Sequence, residues 1–133
     1  GNAKMLIGAL SKAVQGFPAL AAVDQEVAGL SGLMGVESLK NEAFLKARFT
    51  ARASSNDFRV IHVASHGEFR ADSAETFILT FDDKIHLNEL EAMIRPRHYE
   101  GTPVELLCLS ACKTAASFAS SASSSFNWGA SCL

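Results

Sequence analysis

Two almost wholly apolar runs, residues 60–64 and 104–109, constrain this chain more than any other feature. Segments that short and apolar on both faces read as strands buried in the middle of a parallel sheet. Each run ends in a polar word: Ser65-His66-Gly67 after the first, Ser110-Ala111-Cys112 after the second. In open α/β sheets, ligands and chemistry collect outside the carboxyl ends of the strands. The pattern therefore brings one imidazole and one thiol to the working edge of such a sheet, the minimum parts for a cysteine nucleophile with a general base.

The segments around the runs order themselves as strands and helices in alternation. Residues 5–10 read as a first strand, broken by Gly16-Phe17-Pro18. Val23, Val27, Leu30 and Met34 recur on one helical face, with Gly35 placed to end that helix in a left-handed turn. Residues 36–39 suit a short strand. Asn41 suits an N-cap, with Glu42 near the positive end of the dipole, for a helix reaching about Ala53. Residues 54–57 read as a loop and 58–64 as the central strand. Segments 76–81 and 84–87 flank Asp82-Asp83 as a small hairpin. Leu87, Leu90 and Ile94 stripe a helix that Pro96 should stop near Arg95. Such alternation predicts right-handed βαβ units in a layered α/β fold.

The words at the two strand ends carry a resemblance. Ile61-His62-Val63-Ala64-Ser65-His66-Gly67-Glu68-Phe69, followed by Leu107-Cys108-Leu109-Ser110-Ala111-Cys112-Lys113-Thr114-Ala115, resembles the CHAT domain, the bacterial caspase-like peptidase family often fused to tetratricopeptide repeats. Gln15-Gly16-Phe17-Pro18-Ala19-Leu20, Thr76-Phe77-Ile78-Leu79 and Leu87-Asn88-Glu89-Leu90-Glu91-Ala92 resemble further family segments, in family order. The resemblance covers roughly residues 5–116. It implies a caspase-like three-layer α/β/α sandwich with a mostly parallel central sheet. It also implies a cysteine endopeptidase in which Cys112 is the nucleophile and His66 the base. The backbone N–H groups of Gly67 and Cys112 are the natural oxyanion donors, and Glu68 and Ser110 are near enough in sequence to line a substrate pocket. The expected partner is a protein or peptide substrate, with tetratricopeptide repeats or another domain in the parent protein. No metal or organic cofactor enters this chemistry. Taken singly, His66 reads as a solvated loop residue and Cys112 as a buried thiol; together, with the family segments around them, they read as a dyad.

Other constellations point elsewhere. His62 lies four residues before His66 and Cys108 four before Cys112, a spacing that suits zinc only on a helix. On a strand, His62 reads as a hydrogen-bonded core histidine. Cys108 reads as a small buried hydrophobe, His86 as a turn residue and His98 as a loop residue. Twelve basic and 14 acidic side chains, a net charge of −2, give no basic surplus to hold nucleic acid. No run approaches the roughly 20 apolar residues of a membrane helix, so no membrane partner is expected. Three cysteines do not read as a disulfide framework and favour a reducing, cytoplasmic compartment.

The chain has 133 residues, 48% of them hydrophobic, enough for one domain with a core. Gly1, where an initiator Met would stand, reads as a processed or engineered start, and the chain as a piece cut from something longer. Residues 1–116 are expected to form a partial CHAT domain. Residues 117–133 read as a Ser/Ala-rich tail that does not match the family, without helical stripe or strand alternation. Such a tail is expected to pack loosely, or the sheet it leaves exposed to be covered by a second copy in a homodimer. On that reading the chain is a truncated copy and a weak peptidase or none. The alternative function is a non-catalytic signalling or interaction module of the same fold.

Overall fold

The computed structural model describes residues 4–32, 35–55, 57–99, 106–110 and 127–131, with side chains described as far as Arg95. Five parallel strands form the central sheet: β1 (Lys4–Ala9), β2 (Gly35–Lys40), β3 (Val60–Ala64), β7 (Leu106–Ser110) and β8 (Asn127–Ser131). Their order is β2-β1-β3-β7-β8. Three helices accompany them: α1 (Ala21–Leu30), α2 (Lys46–Ala53) and α3 (Leu87–Tyr99). A small antiparallel sheet of β4 (Gly67–Glu68), β5 (Phe77–Leu79) and β6 (Lys84–His86) interrupts the path from β3 to α3.

Crossover handedness explains the layers. Stepping outward from β1 to β2 places α1 on one face. Stepping back past β1 to β3, and on to β7, places α2 and α3 on the other. Burial follows this division. Met5, Ile7, Ala9 and Ala64 pack with Val23 and Val27 of α1. Leu6, Leu10, Ile61 and Val63 pack with Phe49 and Ala53 of α2, with Leu87, Leu90 and Ile94 of α3, and with Phe44 and Phe58. Alternate residues of β1 and β3 thus feed opposite cores, as the period of two in a strand requires. The fold is the three-layer α/β/α sandwich expected from the sequence, with a parallel central sheet. Among the described residues, no helix is long and apolar enough to cross a membrane.

Several local expectations are corrected. Gly35 opens β2 instead of closing α1, which ends at Leu30, where the Ser31 hydroxyl donates to the Val27 carbonyl at 2.8 Å. Asn41 caps no α-helix. It sits in a left-handed conformation (φ 52°) at the head of a 3₁₀ turn, and α2 begins only at Lys46. Pro96 does not stop α3, which runs to Tyr99. Proline removes one N–H, but its φ suits a helix, so the last turn can continue. The segment expected to lack structure contains β8, which pairs in parallel with β7 from Leu106↔Asn127 to Ser110↔Ser131. Asn-Trp-Gly-Ala-Ser has no strand signature of its own; the unpaired edge of β7 supplies the ladder.

The start of α3 carries a pH-dependent element. The Glu89 carboxylate accepts the His86 backbone N–H at 3.0 Å, the reach-back half of a capping box. Lys46 Nζ lies 3.1 Å from its other oxygen. The His86 N–H first, then Lys46 and the His86 ring, lower the Glu89 pKa from 4.5 to about 2, against opposing desolvation. A depressed carboxyl pKa contributes stability above the unfolded value and loses it as pH falls toward the folded one. Glu89→Gln is therefore expected to be less stable than the parent in urea titrations near neutrality. The gap should shrink between about pH 4.5 and 2 and close below it.

Candidate active site

β1 connects outward to β2 through α1, whereas β3 connects the opposite way through α3 to β7. The strand order therefore reverses between β1 and β3. In open α/β sheets, ligands bind beyond the carboxyl ends of the strands at such a reversal. The loop after β1 and the turn after β3 meet at this point.

The loop after β1 is built in stages. Its base is closed by the Leu20 N–H donating to the Ser11 carbonyl at 2.8 Å. Asn41 Oδ1 accepts the N–H groups of Ser11 and Lys12 at 2.9 and 3.1 Å, and Asn41 Nδ2 donates to the Ser11 hydroxyl at 3.1 Å. Its tip is a two-residue hairpin: Val14 and Phe17 exchange backbone bonds of 3.2 and 2.8 Å. Gln15 and Gly16 have φ of 51° and 84°, the left-handed pair that a type I′ turn demands. This turn aims the next two residues at His66. The Pro18 carbonyl oxygen lies 2.7 Å from His66 Nε2, and the Phe17 ring lies 5.0 Å from the imidazole, centroid to centroid. A carbonyl only accepts, so Nε2 carries the hydrogen. In the neutral ring the lone pair is left on Nδ1.

The turn after β3 is equally fixed. Ser65 is fully buried, and its hydroxyl donates to the Leu79 carbonyl at 2.6 Å. The Leu79 N–H donates to the His66 carbonyl at 2.9 Å. β4 continues antiparallel to β5, with Gly67 opposite Ile78 and Glu68 opposite Phe77. Antiparallel pairs alternate between bonded and non-bonded. The bond between Leu79 and His66 makes the Gly67 pair the non-bonded kind, so the Gly67 N–H is turned away from β5. Glu68 is half-buried and pairs with Arg70 at 3.2 Å.

β3 and β7 are adjacent and parallel, with Ala64 in register with Ser110. His66 follows Ala64 by two positions, and Cys112 follows Ser110 by two. Ser110 ends β7 beside the end of β3; its side chain and the whole of Cys112 lie outside the described residues. The structure thus joins His66, Gly67 and Glu68 at one strand end and seats the strand that leads to Cys112 next to it. His62 is half-buried and bonds Glu26 of α1 through Nε2. His86 caps α3. Among the described residues no group of three or more His, Cys, Asp and Glu is arranged to hold a metal.

Sequence reasoning missed Pro18 and Phe17 as partners of His66. The signal present was Gly16-Phe17-Pro18 in the loop after a buried strand, which read as a break and as part of a segment resembling the family, not as a partner of His66.

A parallel α/β/α sandwich with a histidine turn at its switch point defines the caspase-like class of domain. The CHAT domain family matches the chain over residues 3–127, and the chain belongs to that family, which is related to caspase-like peptidases. A comparison with curated proteins finds no match.

Proposed function

We propose that this domain is a cysteine endopeptidase acting on a protein or peptide, with Cys112 as nucleophile and His66 as general base. The observation that carries the reading is the bond from His66 Nε2 to the Pro18 carbonyl, at the end of the strand beside β7. It orients the ring and leaves Nδ1 as the basic atom. Protonation of Nδ1 makes an imidazolium, whose Nε2–H bond to Pro18 becomes charge-assisted and stronger.

In the reaction, the Cys112 thiol gives its proton to Nδ1 as sulfur bonds to the substrate carbonyl carbon. The C=O π pair moves onto oxygen, where the N–H groups of Gly67 and Cys112 receive the oxyanion. The pair returns as the C–N bond breaks, and the imidazolium protonates the leaving amine. The resulting thioester is cleaved by water, which His66 deprotonates, and the thiol is regenerated. Every step uses groups of this chain and water.

Alkylation kinetics test the reading. At about pH 6, Cys112 is expected to react with iodoacetamide at least about tenfold faster than Cys108, because only an imidazole-paired thiol is appreciably ionised there. His66→Ala should remove that advantage while circular dichroism stays unchanged. Equal labelling of the two cysteines, indifferent to His66→Ala, would overturn the proposal in favour of a non-catalytic interaction module of the same fold.

A further inference from the structure

We infer that Gln15 is a positioning residue for His66, fixing the imidazole tautomer by tying the loop that carries Pro18 to the β5–β6 turn. The inference rests on the proposed role of His66 for its consequence in reactivity, but not for its geometry.

The position is unusual in two ways. Gln15 occupies the first central place of a type I′ turn at φ 51°, where glycine, asparagine and aspartate are the residues that fit without strain. Nothing in that turn requires a long side chain. Strain at a non-glycine residue persists where the surroundings over-determine it. Here the surroundings are specific. The exposed Gln15 side chain reaches across to the β5–β6 turn, and its Nε2 donates to the carbonyls of Thr80 at 2.9 Å and Asp83 at 3.1 Å.

The acceptor turn is itself held on several sides. The Thr80 N–H donates to the Asp83 carbonyl at 2.9 Å, and the Asp83 N–H donates to the Thr80 hydroxyl at 2.9 Å. The Phe81 N–H donates to the carbonyl of buried Phe44 at 2.8 Å. Asp82 accepts the first N–H of α2, from Lys46, at 3.0 Å. The Gln15 amide therefore anchors a solvent-exposed hairpin tip to a turn rooted in the core. Two and three residues further on, Phe17 and Pro18 hold the His66 ring and its Nε2. Without the anchor, the tip keeps its base, the packing of Val14 and Phe17 against the core and the contacts to His66, but loses its tie to the β5–β6 turn, so the Pro18 carbonyl is held less firmly against Nε2 and fixes the tautomer less completely.

Gln15→Gly tests this, because it removes the amide while relieving the backbone strain. A loss of function cannot then be ascribed to unfolding, and the melting temperature is expected to hold or rise. Gln15→Glu, isosteric but without the donor, serves as the second variant. Two readouts apply to the full chain. Imidazole ¹⁵N shifts should report a single Nε2–H tautomer for His66 in the parent and a mixture in both variants. The pH profile of Cys112 alkylation by iodoacetamide should lose about tenfold at its acidic end, approaching the His66→Ala profile. An unchanged tautomer in both variants would overturn the inference. So would a parental alkylation profile in both, provided His66→Ala abolishes the parental advantage. If His66→Ala itself changes nothing, the peptidase reading falls, and the tautomer shifts alone decide the role of Gln15.

Discussion

Replacing Gly8 with alanine is expected to lower the unfolding free energy by about 2–3 kcal/mol, a larger cost than most single methyl additions. Gly8 lies in the middle of β1, between Leu39 of β2 and Val63 of β3. A Cβ there would sit 2.4 Å from Phe44 Cε1 and 2.8 Å from Cζ. No methyl fits at that distance, so something must move. Phe44 is fully buried and edge-on to fully buried Phe49, with centroids 5.3 Å apart and planes at 77°. Its backbone is also committed, since its carbonyl accepts the Phe81 N–H and its N–H donates to Asn41. The ring has no free end to swing aside. In a core packed as densely as a crystal, the displacement spreads into α2 and the sheet. Gly8→Ala should melt roughly 10 °C below the parent, at about 3–5 °C per kcal/mol for a chain of this size. Phe44→Leu alone should also destabilise, by about 1–2 kcal/mol, through lost packing. The double variant should cost less than the sum of the two, because the smaller side chain makes room for the methyl. Strict additivity in a double-mutant cycle by urea unfolding would show that the two sites do not share this contact.

The same contact explains what was legible in the sequence and what was not. The buried strands announce themselves because a central parallel strand must be apolar on both faces. The runs at 60–64 and 104–109 contain the two adjacent strands Val60–Ala64 and Leu106–Ser110, and the words that follow them supplied the candidate site residues. Val23 and Val27 likewise marked the buried side of α1. Gly8 carried no such mark: the ring that excludes a side chain there comes from a residue 36 positions away. Asn41 misled because its side chain serves Ser11 and Lys12 on another segment, and not a helix beginning beside it. β8 was invisible because its partner, β7, creates it. At the candidate site, His66 was legible as side-chain chemistry after a strand, and Gly67 as a residue without a side chain beside it. The group that orients His66 is a backbone carbonyl, which every residue possesses, so composition and spacing cannot single out Pro18.

Asn41→Ala is expected to cost about 3 kcal/mol, because the substitution fails in three ways at once. It leaves the buried Ser11 N–H and the half-buried Lys12 N–H without their acceptor, and it leaves the Ser11 hydroxyl without its donor. It also places a β-carbon without polar compensation at φ 52°, a conformation that asparagine tolerates better than alanine. The variants should rank by which failure remains. Asn41→Asp keeps the acceptor for both N–H groups and the local tolerance of the backbone, and should cost least. Asn41→Gly removes the strain but not the orphaned donors, and should fall between. Asn41→Ala should cost most. A glycine variant as stable as the parent would mean that the hydrogen bonds contribute nothing and the backbone conformation everything. The loss should also be felt at the site. Ser11 and Lys12 form the base of the loop that carries Phe17 and Pro18, and the Ser11 carbonyl closes that loop by accepting the Leu20 N–H. Amide hydrogen exchange in Asn41→Ala should therefore accelerate at Leu20 and Phe17, whose N–H groups close the loop, by more than the change in global stability allows. Exchange at Leu6 and Ile7, inside the paired part of β1, should follow the global change. Uniform acceleration across both sets would show that Asn41 supports the fold as a whole and not the loop in particular.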